Sequence, residues 1–260
     1  MKLAGMHAVV TGASRGIGEA VTRELSSRGS QVTMIARSVA ALDTIAAQTG
    51  ASAVPMDLAS GDRLDAAVAE VEARYGPVDI LINNAALGDV APFVQLPNDA
   101  SRRHINANLI APMEMTRQVL PGMIERGRGT IVNVCSVAGE IATRNATPYG
   151  ASKAGLSMFT SYLQRELRKS PVNAMLLVLG EVDTAILGQV RADPVMNRVA
   201  NRVGKMRALT PQQVATRLAG AIERDRRILV LPPAARPIVS VRHIPSLLMD
   251  LAMIGVDWRR

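Results

Sequence analysis

Tyr149 and Lys153 stand four residues apart in a chain with only three tyrosines and four lysines. On a helix that spacing puts both side chains on one face. A phenol with an ordinary pKa near 10 shuttles protons poorly at neutral pH, but an ammonium about 5 Å away at an effective dielectric of ~20 favours the phenolate by roughly 3 kcal/mol, or ~2 pKa units. The pair alone is therefore expected to make Tyr149 a general acid or base. A core tyrosine beside a surface lysine would show the same spacing, so a third group matters. Ser136 lies just past the apolar run 129–135, with a hydroxyl able to hydrogen-bond a carbonyl or alkoxide oxygen. Its neighbour Cys135 has no His and no second Cys nearby in sequence, and reads as buried filler and not a nucleophile.

Near the start, Thr11-Gly12-Ala13-Ser14-Arg15-Gly16-Ile17-Gly18 separates an apolar run from a helical pattern. Glycines there let the backbone turn and approach a pyrophosphate, while free N–H groups at the helix N-terminus attract its charge. The GxxxGxG spacing is one residue longer than the standard dinucleotide fingerprint. About 20 residues on, the second apolar run ends at Ala36-Arg37, where a carboxylate would be expected for the ribose 2′-hydroxyl of NAD. No acid is present. Arg37 and Arg15 instead suit the 2′-phosphate of NADP, so NADP(H) is expected over NAD(H), although two solvated arginines would look the same.

These groups need elements to position them. Apolar runs fall at 7–11, 31–36, 52–57, 79–83, 129–135, 172–179 and 227–231, and most are continuous, as in strands buried on both faces of a parallel sheet. Helical patterns lie between them at 17–28, 39–49, 62–75, 99–126, 149–169 and 211–224, the last opening with Thr210 as N-cap and Pro211 at the first helical position. The alternation predicts an α/β fold: one Rossmann-type, doubly wound sheet of about seven parallel strands with helices on both faces. One domain over 1–231 is expected, with a substrate lid at 185–209, followed by an apolar, basic extension over 232–260 packed on the domain or on a neighbouring subunit.

In order, TGASRGIG, Asp57-Leu58, Asn83-Asn84-Ala85-Ala86, Asn108 in NANLIAP, Ser136, Tyr149-Gly150-Ala151-Ser152-Lys153 and Gly180-Glu181-Val182-Asp183-Thr184 resemble the motifs of the classical short-chain dehydrogenase/reductase family. The resemblance covers about residues 5–231. It implies the strand order 3-2-1-4-5-6-7 and an NAD(P)-dependent oxidoreductase of alcohols and carbonyls. Tyr149 would exchange the hydroxyl proton, Ser136 would position the substrate oxygen, Lys153 would hold the nicotinamide ribose and lower the Tyr149 pKa, and Asn108 would support a water leading to Lys153. For the cofactor it implies the loop residues Gly12, Ser14, Arg15, Gly16, Ile17 and Gly18, Arg37 for NADP, Asp57 and Leu58 at the adenine, Asn84 and Ala85 near the adenine ribose, and Val182 and Thr184 at the carboxamide. A homodimer or homotetramer built on the long helices is also implied. Three positions depart from the pattern: Ala86 and Ala111 replace glycines, and Leu179 replaces a proline. An extra methyl at Ala86 is expected to crowd the nicotinamide side, and the turn after the sixth strand is expected to loosen.

Composition narrows the remaining classes. The net charge of +8 sits wholly in the last 75 residues: positions 1–185 hold 17 Lys+Arg and 17 Asp+Glu, positions 186–260 hold 13 and 5. Aromatics at 2% argue against nucleic acid, because binding single strands usually uses aromatic stacking platforms. In the lid, Arg191, Arg198, Arg202, Lys205 and Arg207 among apolar residues suit an acidic amphiphile such as a 3-oxoacyl thioester, while an amphipathic surface helix would read the same way. One cysteine and three scattered histidines predict no disulfide and no metal, and the lack of an apolar leader or spanning segment predicts a cytoplasmic protein. Two other functions stay open: a non-catalytic NADP-binding sensor or scaffold on the same fold, and a peripheral membrane module that uses the tail, although packing against protein is expected.

Overall fold

Residues that pack on both sides leave no room for polar alternation, and the seven apolar runs become seven strands in the computed structural model. These are β1 (His7–Thr11), β2 (Gln31–Ala36), β3 (Ser52–Pro55), β4 (Ile80–Asn83), β5 (Gly129–Ser136), β6 (Val172–Leu179) and β7 (Ile228–Leu231). All pair in parallel, in the order β3-β2-β1-β4-β5-β6-β7, as the sequence predicts. The structure describes residues 2–61, 64, 66–192, 208–237, 239 and 240.

Eight helices are described: α1 (Gly16–Ser27), α2 (Val39–Thr49), α3 (Ala67–Tyr75), α4 (Ala100–Ile105), α5 (Ala111–Glu125), α6 (Thr147–Glu166), α7 (Ala185–Ala192) and α8 (Pro211–Glu223). Their ends follow from local chemistry. The Ser38 hydroxyl caps α2 by accepting from the Ala41 N–H, and Gly50, at φ 72°, closes it in the left-handed region. Thr210 and Gln213 form a reciprocal capping box at the start of α8, with Pro211 in the first turn.

Alternate strand residues face opposite layers. Val10, Ile82, Val132 and Leu177 pack with Val21 and Leu25 of α1, Leu42 of α2 and Val214 and Leu218 of α8. Val9, Leu81 and Ile131 pack with Val68 of α3, Met115 and Val119 of α5 and Leu163 of α6. A third cluster joins Cys135, Leu156 and Val178 to Ala235 and Val239, so the first residues after β7 pack on the domain.

Two expectations change. β3 stops at Pro55, and Asp57 lies beyond it in a turn where its carboxylate accepts from the Ala59 N–H at 3.0 Å. The single helix expected over 99–126 is α4 and α5 joined by a π-helical turn, Asn106–Ile110. The apolar period runs through that turn unbroken, so the pattern did not reveal the inserted residue. The expected lid segment opens with α7, and of its five basic residues only Arg191 falls within the described residues. Among the described residues no helix is long and apolar enough to cross a membrane, and no group of His, Cys, Asp or Glu is arranged to hold a metal ion.

Candidate active site

In an open parallel sheet, ligands bind beyond the carboxyl ends of the strands where the winding reverses, and here that point lies between β1 and β4. The sequence motifs gather at that edge: residues 12–18 after β1, Arg37 after β2, Asp57 after β3, Asn84 and Ala85 after β4, Ser136 at the end of β5, and residues 180–184 after β6.

The glycine loop is held shut by close backbone contacts. Gly12 and Gly16 adopt φ of 66° and 58°, where a side chain is strained. A Cβ on Gly12 would stand 2.7 Å from the Ala85 Cα, and one on Gly18 would overlap the Gly12 carbonyl oxygen and lie 2.7 Å from the Asn84 Nδ2. The Asn84 amide donates to the Thr11 carbonyl at 2.9 Å. The Thr11 hydroxyl accepts from the N–H groups of Asn84 and Ala85, both at 3.0 Å, and donates to Ile82 O at 3.2 Å. This fastening of the loop to the β4 turn was not foreseen for Thr11, because a threonine ending an apolar strand reads as an ordinary strand residue.

Ser14, Gly16 and Ile17 line the loop in partly buried positions, while Arg15 and Arg37 are exposed. Among the described residues neither arginine has a side-chain ion pair or hydrogen bond, so both charges stay available for an anion. Asp57 is exposed, but the Leu58 side chain turns inward with Val54 and Leu64, leaving only its backbone for a ligand. Val182 is also buried and is bridged to Leu209, and Thr184 lies against Gly16 across the crevice. The residues present thus fit a dinucleotide: a glycine cradle for a pyrophosphate, two unpaired cations beside it, and a crevice bounded by three strand ends.

Ser136 and the Tyr149–Lys153 pair are brought together by the turn after β5. Ser136 Oγ accepts from Ala138 N–H at 3.2 Å, which opens the short turn Val137–Gly139. At Gly139 a Cβ would lie 2.8 Å from the Lys153 carbonyl carbon, so a glycine is needed for the turn to reach α6. The Glu140 carboxylate accepts from Ser157 Oγ at 2.6 Å and fastens the same turn further along the helix. The Ser136 hydroxyl then hydrogen-bonds the Tyr149 phenol. The Lys153 ammonium, 2% exposed, donates to the Val134 carbonyl at 2.7 Å.

Asn108 sits fully buried in the π turn. Its Oδ1 accepts from Leu87 N–H at 2.8 Å, and its Nδ2 donates to Leu87 O and to Ser152 Oγ, both at 2.9 Å. Ser152 Oγ donates in turn to the Tyr149 carbonyl at 2.7 Å. One amide therefore ties the loop after β4 to the first turn of the helix that carries Tyr149. Ser152 belongs to the quoted motif, but its bonding is a tertiary contact that spacing does not disclose.

The electrostatics correct one expectation. Although Tyr149 keeps some surface at the crevice, burial of its phenol pushes the pKa above the ordinary tyrosine value, and the Ser136 hydrogen bond offsets this only in part. The pull of Lys153 on the phenol does not prevail, because the ammonium is directed at the Val134 carbonyl and is itself disfavoured by burial, which lowers its own pKa. In this state Tyr149 holds its proton at neutral pH and is ready to give it.

A parallel sheet in this order, a glycine loop at its switch point, and a serine, a tyrosine and a lysine at the same edge define a dinucleotide-dependent oxidoreductase fold. The family model for the short chain dehydrogenase matches residues 6–195. The chain belongs to that family and is an oxidoreductase acting on alcohol or carbonyl groups. It is 37% identical over 185 residues to the ketoacyl reductase HetN of Nostoc sp. (69% of this chain, 64% of that protein), so it spans less than two thirds of that relative, and 38% identical over 177 residues to the L-xylulose reductase of Mesocricetus auratus (66% of this chain, 71% of that protein). Among solved structures, a metagenomic short-chain oxidoreductase in complex with NADP superposes with a TM-score of 0.73 at 30% identity (89% of this chain, 98% of that chain). A short-chain dehydrogenase/reductase from Burkholderia phymatum in complex with NAD superposes with a TM-score of 0.79 at 25% identity (96% of each chain).

Proposed function

We propose that the protein is a cytoplasmic, NADP(H)-dependent reductase of lipophilic carbonyl compounds. The observation that carries this reading is the convergence of Ser136, Tyr149 and Lys153 at the strand edge that also holds the glycine loop. When bound, the nicotinamide would supply the hydride that adds to the carbonyl carbon. Ser136 hydrogen-bonds the substrate oxygen, and Tyr149 gives that oxygen its proton as charge develops there. In this reading Lys153 turns from the Val134 carbonyl to hold the nicotinamide ribose, and Asn108 supports a water that leads to it. Reduction uses the neutral phenol, which the raised Tyr149 pKa keeps populated at neutral pH.

The choice of NADP rests on Arg15 and Arg37, exposed and unpaired at the ends of β1 and β2, and on the absence of an acid beside them. Arg37→Asp is expected to invert the preference: NADPH binding should weaken by about tenfold or more while NADH binding changes little, since a charged hydrogen bond contributes roughly 1.5–3 kcal/mol. Titrating both cofactors checks this, and an unchanged ratio means Arg37 does not read the phosphate.

A lipophilic or acyl substrate is supported by the likeness to HetN and by apolar side chains at the same edge. Phe93 and Val94, after β4, and Ile141, after β5, are exposed, and the Ala91 N–H donates to Asn145 O at 3.0 Å, joining the two loops. Exposed Ile110 and Met113 on the π turn and α5, with Met158 and Tyr162 on α6, support a homodimer or homotetramer formed through these helices. The assay is oxidation of NADPH with a panel of 3-oxoacyl thioesters, medium-chain ketones and keto-sugars. The reading expects the apolar substrates to win; a preference for keto-sugars overturns the substrate class, and cofactor binding without any turnover favours a sensor.

A further inference from the structure

The π turn carries two asparagines, and only Asn108 belongs to the chemistry described so far. Asn106 lies two positions earlier. Residues two apart on a helix face away from each other, so this turn reaches in two directions. Asn108 grips Leu87 and Ser152 on the side of Tyr149. The Asn106 Nδ2 donates instead to the Ala59 carbonyl at 3.2 Å, and a Cβ on Gly61 would lie 3.7 Å from it.

Ala59 belongs to the turn after β3. From within, that turn is braced by the Asp57 carboxylate, which accepts from Ala59 N–H, and by Ser60 Oγ, which donates to Asp57 O at 2.9 Å. Asn106 is the side chain that reaches Ala59, next to Asp57, while Gln118 of α5 holds the same connection further along by donating to the Leu64 carbonyl. We infer that Asn106 is a positioning residue for the adenine end of the cofactor site: its amide sets how far the Asp57 turn stands from the crevice, while Asn108, on the same turn, sets the nicotinamide end. The two halves of the site are thus fixed to one irregular helical turn. The inference rests on the proposed placement of a dinucleotide across the crevice.

A cofactor lacking the adenosine half separates this role from a general loss of structure. NADPH and reduced nicotinamide mononucleotide are compared as hydride donors, and as ligands by fluorescence titration, for the wild type, Asn106→Ala and Asn106→Asp. Aspartate keeps the shape of the side chain but cannot donate to Ala59 O. Both variants are expected to bind NADPH about three- to tenfold more weakly, the loss expected for one hydrogen bond, with kcat within about twofold and with the mononucleotide unaffected. Equal losses with both donors, unchanged NADPH binding, or an aspartate variant that behaves as wild type overturns the inference. If the wild type itself takes up no dinucleotide, the reading of the crevice fails and this inference fails with it.

Discussion

Tyr149→Phe is expected to lower kcat/KM for carbonyl reduction on the order of 10³-fold while leaving NADPH affinity nearly unchanged. The substitution removes one oxygen and little volume. What it deletes is the proton that the phenol, hydrogen-bonded to Ser136, gives to the substrate oxygen. Phenylalanine keeps the ring in place on the first turn of α6, and the backbone carbonyl of residue 149 still accepts from Ser152, so the Asn108 network has no cause to change. An effect on kcat without an effect on cofactor binding is the signature of a lost reacting group. A fall of less than about tenfold would mean that water or another residue donates the proton.

Gly18→Ala should act by a different route, weakening dinucleotide binding itself. Its methyl group would overlap the Gly12 carbonyl oxygen, which is backbone and cannot swing aside, and would also crowd Asn84 Nδ2. Either α1 withdraws from the loop or the Asn84 amide loses its bond to the Thr11 carbonyl. Overpacking of this kind costs about 1–3 kcal/mol, which predicts a lower Tm and NADPH binding weakened by at least tenfold. Gly188 gives the contrast, because nothing lies within 4 Å of a Cβ there and it sits inside α7. Gly188→Ala should therefore hold or raise the Tm through helix propensity alone. Similar behaviour of the two variants would show that the loop is not the close-packed cradle described.

The strands were legible because burial on both faces erases alternation: the run 172–179 could hardly be anything else, and β6 occupies it to the residue. The alternation of strand and helix implied a doubly wound parallel sheet, and the resemblance to the family supplied the strand order. The π turn was not legible, because Asn106–Ile110 continues the apolar period of its neighbours and the inserted residue leaves no mark in composition. At the site, the residue types that do chemistry stood out by spacing, whereas those that hold them did not. Thr11, Ser152 and Asn106 act through bonds to backbone groups 47 to 74 positions away or to a carbonyl three residues back, and such partners are chosen by the fold. The sign of the Tyr149 shift was misjudged for a related reason: spacing shows that an ammonium is near, but not that both groups are buried or that Lys153 donates to Val134. The departures at 111 and 179 have structural homes. Ala111 is fully buried at the start of α5, and Leu179 packs in the core while the following Gly180 N–H donates to Leu231 O at 2.7 Å, which pins the turn that was expected to loosen.

The most direct test is the pH dependence of kcat/KM for carbonyl reduction by NADPH, measured in the wild type and in Tyr149→Phe. Reduction uses the protonated phenol, and burial raises its pKa above 10.0, so activity should stay level through neutral pH and fall only in the strongly alkaline range. Oxidation of the corresponding alcohol, which needs the phenolate, should climb over that same range. The residual activity of the phenylalanine variant should lack the alkaline inflection. A reductive profile that already declines near pH 7, or one that persists with the same inflection in Tyr149→Phe, would contradict a buried, proton-bearing tyrosine as the acid in this site.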